Sequence, residues 1–160
     1  MYITKYWKNY IGDTDDSLNL VAYLEDKKKP TISLTEIFTD LGLDKLNGDF
    51  TKTTVPLEFT HSNGICMDFH FAIDIVTDLA AILLECKMND GVNLHDLDPY
   101  DTPDFAVCVT TTPEEADLMN KTLQHFIANP LSYDLNELVP EDDMKEMASL
   151  CEELRQELFD

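Results

Sequence analysis

Basic residues are scarce in this 160-residue sequence, where 11 Lys and Arg face 32 Asp and Glu and the formal net charge is −21. A surface with this charge repels phosphate backbones and anionic lipid headgroups, so direct nucleic-acid binding and membrane attachment are disfavoured. Disorder is disfavoured too, because acidic chains that stay unfolded are poor in aromatic residues, whereas this one holds eight Phe, six Tyr and one Trp. The charge therefore belongs to a folded surface, and a basic partner is favoured.

Glycine is equally sparse, and its five copies are scattered, which excludes a glycine-rich phosphate-binding loop. No apolar run approaches the roughly 20 residues of a membrane-spanning helix, and the N-terminus lacks the pattern of a secretory leader, so we expect a cytoplasmic protein. The cysteines have neither metal-knuckle spacing nor the density of a disulfide scaffold, and we expect them to be reduced and mostly buried. They are Cys66, Cys86, Cys108 and Cys151.

Hydrophobic periodicity and capping residues predict about five helices. The first has Asp15 or Ser17 as its predicted N-cap and ends at residues 27–30, and the second is capped by Ser33 and terminated by Gly42. The third, over residues 73–87, is apolar on too many sides for a surface helix, so we expect it to be central. The last two begin near Pro113 and Pro140.

Strand patterns occupy residues 55–60 and 65–71, on either side of a turn at 61–64 that ends in Asn-Gly, which predicts a β-hairpin. A further strand is predicted over residues 105–110. Together these elements predict a single α+β domain over residues 1–160, with about five helices on a small, mostly antiparallel sheet of at least three strands. Near the N-terminus, the helical spacing of Tyr2, Tyr6, Trp7 and Tyr10 predicts a core-facing aromatic stripe.

The four histidines, at positions 61, 70, 95 and 125, show no zinc-site spacing. His70 and Cys66 fall on one face of a predicted strand, but residues four apart on a strand are about 13 Å apart, too far for a nucleophile and its base. The sequence therefore predicts no catalytic residue, no metal site and no cofactor.

Residues 90–104 are the richest polar stretch, with five carboxylates and no Lys or Arg. Three interpretations stay open: a solvated acidic loop, a site for a hard cation, and an interface in which Tyr100 is an anchor among carboxylates. Calcium loops need a glycine-bearing turn and a bidentate acid at fixed offsets, which this stretch lacks. Tyrosine is a favoured hot-spot residue, and carboxylates around it suit a basic partner. The predicted partner-binding residues are Asp96, Asp98, Tyr100, Asp101 and Asp104.

The block Tyr-Trp-Lys-Asn-Tyr-Ile-Gly-Asp-Thr-Asp-Asp-Ser-Leu-Asn-Leu over residues 6–20, in a small acidic α+β chain, resembles bacterial immunity proteins of contact-dependent or polymorphic toxin systems. The resemblance is to those found beside EndoU-type RNase toxins. It implies a noncatalytic protein that binds one toxin domain tightly and blocks its active site or substrate groove, and it transfers no individual binding residue.

The charge agrees with this resemblance, because a nuclease must present basic residues to phosphate and a carboxylate-rich protein can occupy the same groove. Two alternatives remain: an acidic DNA mimic, and a small hydrolase that uses the carboxylates of residues 96, 98 and 101 with His95 as a proton carrier. Self-association is left open.

Overall fold

Six α-helices are present in residues 2–160, the part of the chain that the computed structural model describes. Five of them contain eight residues or more, as predicted, and the fourth in chain order is a single turn. The helices are α1 (Asp15–Lys27), α2 (Leu34–Leu41), α3 (Ala72–Asn89), α4 (Leu94–Leu97), α5 (Pro113–Ala128) and α6 (Glu141–Phe159).

The helix ends follow local hydrogen-bonding chemistry. Ser33 accepts a hydrogen bond from the backbone N–H of Glu36, and Gly42 ends α2 in the left-handed conformation. Both features confirm the prediction. The N-cap of α1 was predicted wrongly. It is Thr14, whose side chain accepts a hydrogen bond from the backbone N–H of Ser17. The Ser17 side chain in turn accepts from the Thr14 N–H, so both residues form one capping box.

Five short strands in residues 2–160 form two sheets, which confirms the α+β class. The predicted hairpin is present as β2 (Leu57–Thr60) and β3 (Cys66–Phe69), paired antiparallel. The second sheet has the order β1 (Thr31–Ser33), β5 (Ala106–Thr110), β4 (Val92–Asn93), with β1 parallel and β4 antiparallel to β5. The sequence had not indicated β1, because a three-residue strand is too short to show an alternating pattern.

Helix α3 lies at the centre of the domain, as predicted. Every residue from Ala72 to Cys86 is buried, and the helix packs against α1, α5, α6 and β5. A helix surrounded in this way has no solvent-facing side, so the acidic residues within it are buried as well. None of the helices in residues 2–160 combines the length and apolar character needed to cross a membrane.

The N-terminal aromatic residues do not form the predicted stripe. A single 3-10 turn, Ile3–Lys5, is followed by left-handed backbone at Lys8, Tyr10 and Gly12, which breaks the helical periodicity. Tyr6 and Trp7 are buried, whereas Tyr2 and Tyr10 are 45% and 37% exposed. Only half of the aromatic set therefore faces the core.

All four cysteines are free thiols in the described residues. Cys86 and Cys151 are buried as expected, Cys108 is half-buried, and Cys66 is exposed on the hairpin. Burial raises the pKa of the Cys86 thiol to about 12.

Candidate partner-binding surface

Residues 90–104 are more structured than the loop that the sequence predicted. After Asp90 ends α3 in the left-handed conformation, Val92 and Asn93 pair with β5 and α4 follows at once. The reason is apolar burial, because Leu94 and Leu97 are buried in the core. We call residues 94–104 the α4 loop.

Asn93 holds the two ends of the α4 loop together. Its Oδ1 atom accepts hydrogen bonds from the backbone N–H groups of His95 and Phe105, each at 3.1 Å. Its Nδ2 atom donates to Asp104 Oδ1 at 2.9 Å. One amide side chain thus satisfies three polar groups and closes the base of the loop.

A second set of bonds crosses the middle of the loop at Thr102. His95 Nδ1 donates to the Thr102 carbonyl oxygen at 2.7 Å, and Thr102 Oγ1 donates to Asp98 Oδ2 at 3.2 Å. From outside the loop, Trp7 Nε1 donates to the Leu97 carbonyl oxygen at 3.0 Å. The loop is therefore internally bonded and attached to the buried N-terminal segment.

Tyr100 stands at the tip of this bonded loop and is 95% exposed. Asp96, Asp101 and Asp104 are exposed as well, although the Asp104 carboxylate is bonded to Asn93. Asp98 is buried and bonded to Thr102. The loop therefore offers Tyr100, Asp96 and Asp101 most freely to a partner, while Asp98 and Asp104 maintain its shape.

No set of three closely spaced metal-ligating side chains lies in the α4 loop. In residues 2–160, the one set of three acidic, Cys or His side chains with ligand atoms within 4.8 Å of one another is Glu58, Cys66 and Asp68, exposed on the hairpin. His95 makes its Nδ1 bond to a backbone carbonyl oxygen rather than to a carboxylate. The Nδ1 atom of His95 is therefore bonded to the backbone of the loop and not to the carboxylates of residues 96, 98 and 101.

A group of buried acids along α3 was not predicted from the sequence. Asp78 is buried, and its carboxylate accepts hydrogen bonds from the Gly12 N–H at 2.8 Å and from Ser17 Oγ at 2.6 Å. Burial nevertheless raises the pKa of Asp78 to about 7. Asp74, one turn earlier, is also buried, and burial beside other carboxylates raises its pKa to about 8. The i, i+4 spacing of Asp74 and Asp78, within a helix predicted to be central, could have indicated that these acids are buried.

Comparison with protein families gives the class of protein, because residues 2–158 match a family of immunity proteins. This class implies an inhibitor that neutralises a toxin, rather than an enzyme. The chain belongs to the immunity protein 68 family. No significant match was found among curated proteins or among solved structures.

Proposed function

We propose that this immunity protein acts in the cytoplasm and neutralises a nuclease toxin, by covering its basic active site or RNA-binding groove with acidic surface. We infer that this toxin is an EndoU-type RNase of a contact-dependent system, because the chain resembles the immunity proteins found beside such toxins. The observation that supports this proposal best is the α4 loop, which holds an almost fully exposed tyrosine between exposed carboxylates. An aromatic anchor with acidic neighbours suits a basic protein surface.

The internal bonding of the loop favours affinity. A flexible loop loses conformational freedom when it binds, and this ordering cost is subtracted from the binding energy. The bonds made by Asn93 and Thr102 order the loop before any partner arrives. Tyr100 can then enter a pocket of the toxin with little further ordering.

The charge distribution favours rapid capture. Residues 81–160 hold 19 acids and 4 bases, whereas residues 1–80 hold 13 acids and 7 bases. The α4 loop lies in the more acidic half. A field of this sign can raise the association rate with a basic partner to about 10⁸ M⁻¹s⁻¹ at low salt, from about 10⁵–10⁶ without steering.

The first prediction concerns complex formation with the C-terminal nuclease domain of the toxin, which we expect the gene immediately upstream to encode. We expect a one-to-one complex by light scattering after gel filtration, and loss of the toxin's RNA cleavage.

In the D96N/D101N variant, which leaves Asp98 and Asp104 in place to hold the loop, we expect association to slow several-fold at low salt because rim charges mainly set the association rate. Stopped-flow fluorescence measures this rate.

The matched control for this variant is D44N, since Asp44 is exposed and lies outside the loop. Equal association rates for the wild type and D96N/D101N would place the binding surface elsewhere. A lack of complex with the toxin domain would reject toxin neutralisation by this route. Turnover of a small substrate that is abolished by His95→Ala would support the hydrolase instead.

The second prediction separates anchoring from steering. Tyr100→Ala removes a ring that packs in the toxin pocket, so we expect the dissociation rate to rise by a factor corresponding to about 2 kcal/mol, with little change in association. Raising the salt concentration from about 50 to 500 mM should instead slow association and change dissociation less, because salt screens the long-range attraction. Both rates are measured by stopped flow.

Circular dichroism first establishes that Tyr100→Ala keeps the fold, as its exposure leads us to expect. The Tyr100→Phe variant is the matched control, since it keeps the ring and removes only the hydroxyl group. An unchanged dissociation rate for Tyr100→Ala would exclude Tyr100 as the anchor. A salt-independent association rate would exclude electrostatic steering.

A further inference from the structure

A cleft of about 330 Å³ lies beside the first turn of α3, away from the α4 loop in the sequence. Its volume is at the lower end of the range for ligand pockets, about 300–1,000 Å³, which suits a single side chain better than a peptide. Leu135, Leu138 and Val139 contribute apolar atoms to one wall. Leu138 is 73% exposed, so the cleft opens beside an exposed apolar residue.

Asp74 is one of two buried acids that line the cleft, and it is only 3% exposed. Within residues 2–160, the hydrogen bonds that involve Asp74 are those of its backbone, and no protein group donates to its carboxyl group. A buried carboxyl group without a protein donor is costly to ionise, so Asp74 has an acceptor that a cationic ligand can use.

The neighbouring acid in the cleft, Asp16, is differently placed because its carboxylate is already in use. It accepts hydrogen bonds from the backbone N–H groups of His70 and Phe71, each at 2.9 Å. It also lies 3.3 Å from His70 Nδ1. Asp16 therefore bonds the chain that leads into α3, and Asp74 remains the acceptor available to a ligand.

The surroundings of Asp74 are strongly biased toward negative charge. Burial raises the pKa of Asp74, and acidic residues on three elements raise it further. These are Asp78 in α3, Asp16 in α1 and Asp134 in the 3-10 turn Asp134–Glu137. The exposed Asp15 also lines the cleft, and its described lining includes no Lys or Arg. The Asp134 Oδ1 atom is buried and has no hydrogen-bond partner in residues 2–160.

We propose that this cleft receives a Lys or Arg side chain of a protein partner, with the alkyl stem against Leu138 and Val139 and the cationic group bonded to Asp74. Long basic side chains bury their methylene stems on apolar surface while the charged end seeks a polar partner. The cation supplies the donor that Asp74 lacks and offsets the repulsion among its acidic neighbours. The inference deepens the proposed function, because the toxin is the partner expected to donate this side chain.

The third prediction uses small probes, so its outcome does not depend on the identity of the toxin. In ¹H–¹⁵N spectra we expect N-acetyl-arginine amide or N-acetyl-lysine amide to shift the amide signals of residues 70–75 and 135–139, with millimolar affinity. The uncharged N-acetyl-norleucine amide has a similar stem and should shift them much less. Binding should strengthen as pH rises from about 6 to about 9, because the probes stay charged while Asp74, with a pKa of about 8, ionises.

His70, Asp15, Asp16, Asp78, Asp134 and the Cys151 thiol also surround this acid cluster. The pH profile is therefore compared with that of Asp74→Asn, which keeps the shape of the side chain and removes its charge. We expect at least tenfold weaker probe binding for Asp74→Asn and no change for the matched control D44N. Equal binding of norleucine and arginine probes, or equal binding by wild type and Asp74→Asn, would overturn the proposal.

With the toxin domain, Asp74→Asn and Leu138→Ala should each weaken the complex by about tenfold or more. Complex formation near pH 7 should release a proton, which calorimetry detects as a binding heat that depends on the buffer. If the toxin binds Asp74→Asn as tightly as wild type, the cleft inference fails and toxin neutralisation stands. If the toxin does not bind at all, toxin neutralisation fails and the probe titration still decides the cleft.

Discussion

Replacing Gly12 with alanine is expected to lower the free energy of unfolding by at least about 3 kcal/mol. Gly12 has a φ of +70°, which alanine adopts only with strain, and a methyl group there would overlap the Trp7 indole ring. Trp7 is buried and bonded to the Leu97 carbonyl oxygen, so its displacement should also loosen the α4 loop. Chemical denaturation monitored by Trp fluorescence measures the loss.

Gly64→Ala provides the matched control for this effect. Gly64 also has a positive φ, of +88°, but a methyl group there meets no atom within 4 Å. Gly64→Ala is therefore expected to lower the free energy of unfolding by about 1 kcal/mol, which is the conformational cost alone. If both variants lose the same stability, the Trp7 ring yields freely and the close approach of Gly12 to it is unimportant.

The second large effect is a change in how stability depends on pH in Asp74→Asn. The pKa of Asp74 is raised from 3.8 to about 8 by burial and by the charges of Asp78, Asp16 and Asp134. Between these values the folded state binds more protons than the unfolded state, so the free energy of unfolding falls as pH rises. One pKa unit corresponds to about 1.4 kcal/mol, and Asp74→Asn should gain at least about 2 kcal/mol relative to wild type between about pH 5 and pH 8.

Urea denaturation at several pH values tests this expectation. The variant and the wild type should be closest in stability below about pH 4, where Asp74 is protonated in both the folded and the unfolded state, and should diverge as the pH rises toward about 8. Asp78 keeps part of the wild-type slope in the variant, because burial raises its pKa to about 7. Parallel stability profiles would mean that Asp74 is already ionised in the folded protein across this range.

The free-energy cost of ionising these buried acids affects how the proposed cleft binds a cation. A carboxyl group that is expensive to ionise in the free protein becomes a strong acceptor once a cation arrives, because the low-polarity surroundings strengthen their attraction. Stability and binding therefore respond in opposite directions at this position. Asp74→Asn should be more stable than the wild type at high pH and should bind a basic side chain less tightly.

Features that depend on neighbouring residues were predictable from the sequence. Ser33 with Gly42 bounds α2, and Thr112 with Pro113 begins α5, because capping is a bond between residues a few positions apart. The hairpin at residues 57–69 follows in the same way from its turn. The central place of α3 was also predictable, since its apolar residues leave no polar side. The resemblance to immunity proteins was confirmed at the level of the family.

Features that join distant segments depend on the tertiary fold and could not be predicted from local sequence. The parallel pairing of Thr31–Ser33 with β5 joins parts of the chain more than 70 residues apart, as the register Thr31 with Cys108 shows. Asp16 bonds the backbone at residues 70 and 71 from another helix. The cleft likewise joins α1, the start of α3 and residues 135–139. Burial and charge proximity arise when such segments meet, so the place of Asp74 in a central helix could indicate that it is buried, but not which acidic residues of other segments lie near it.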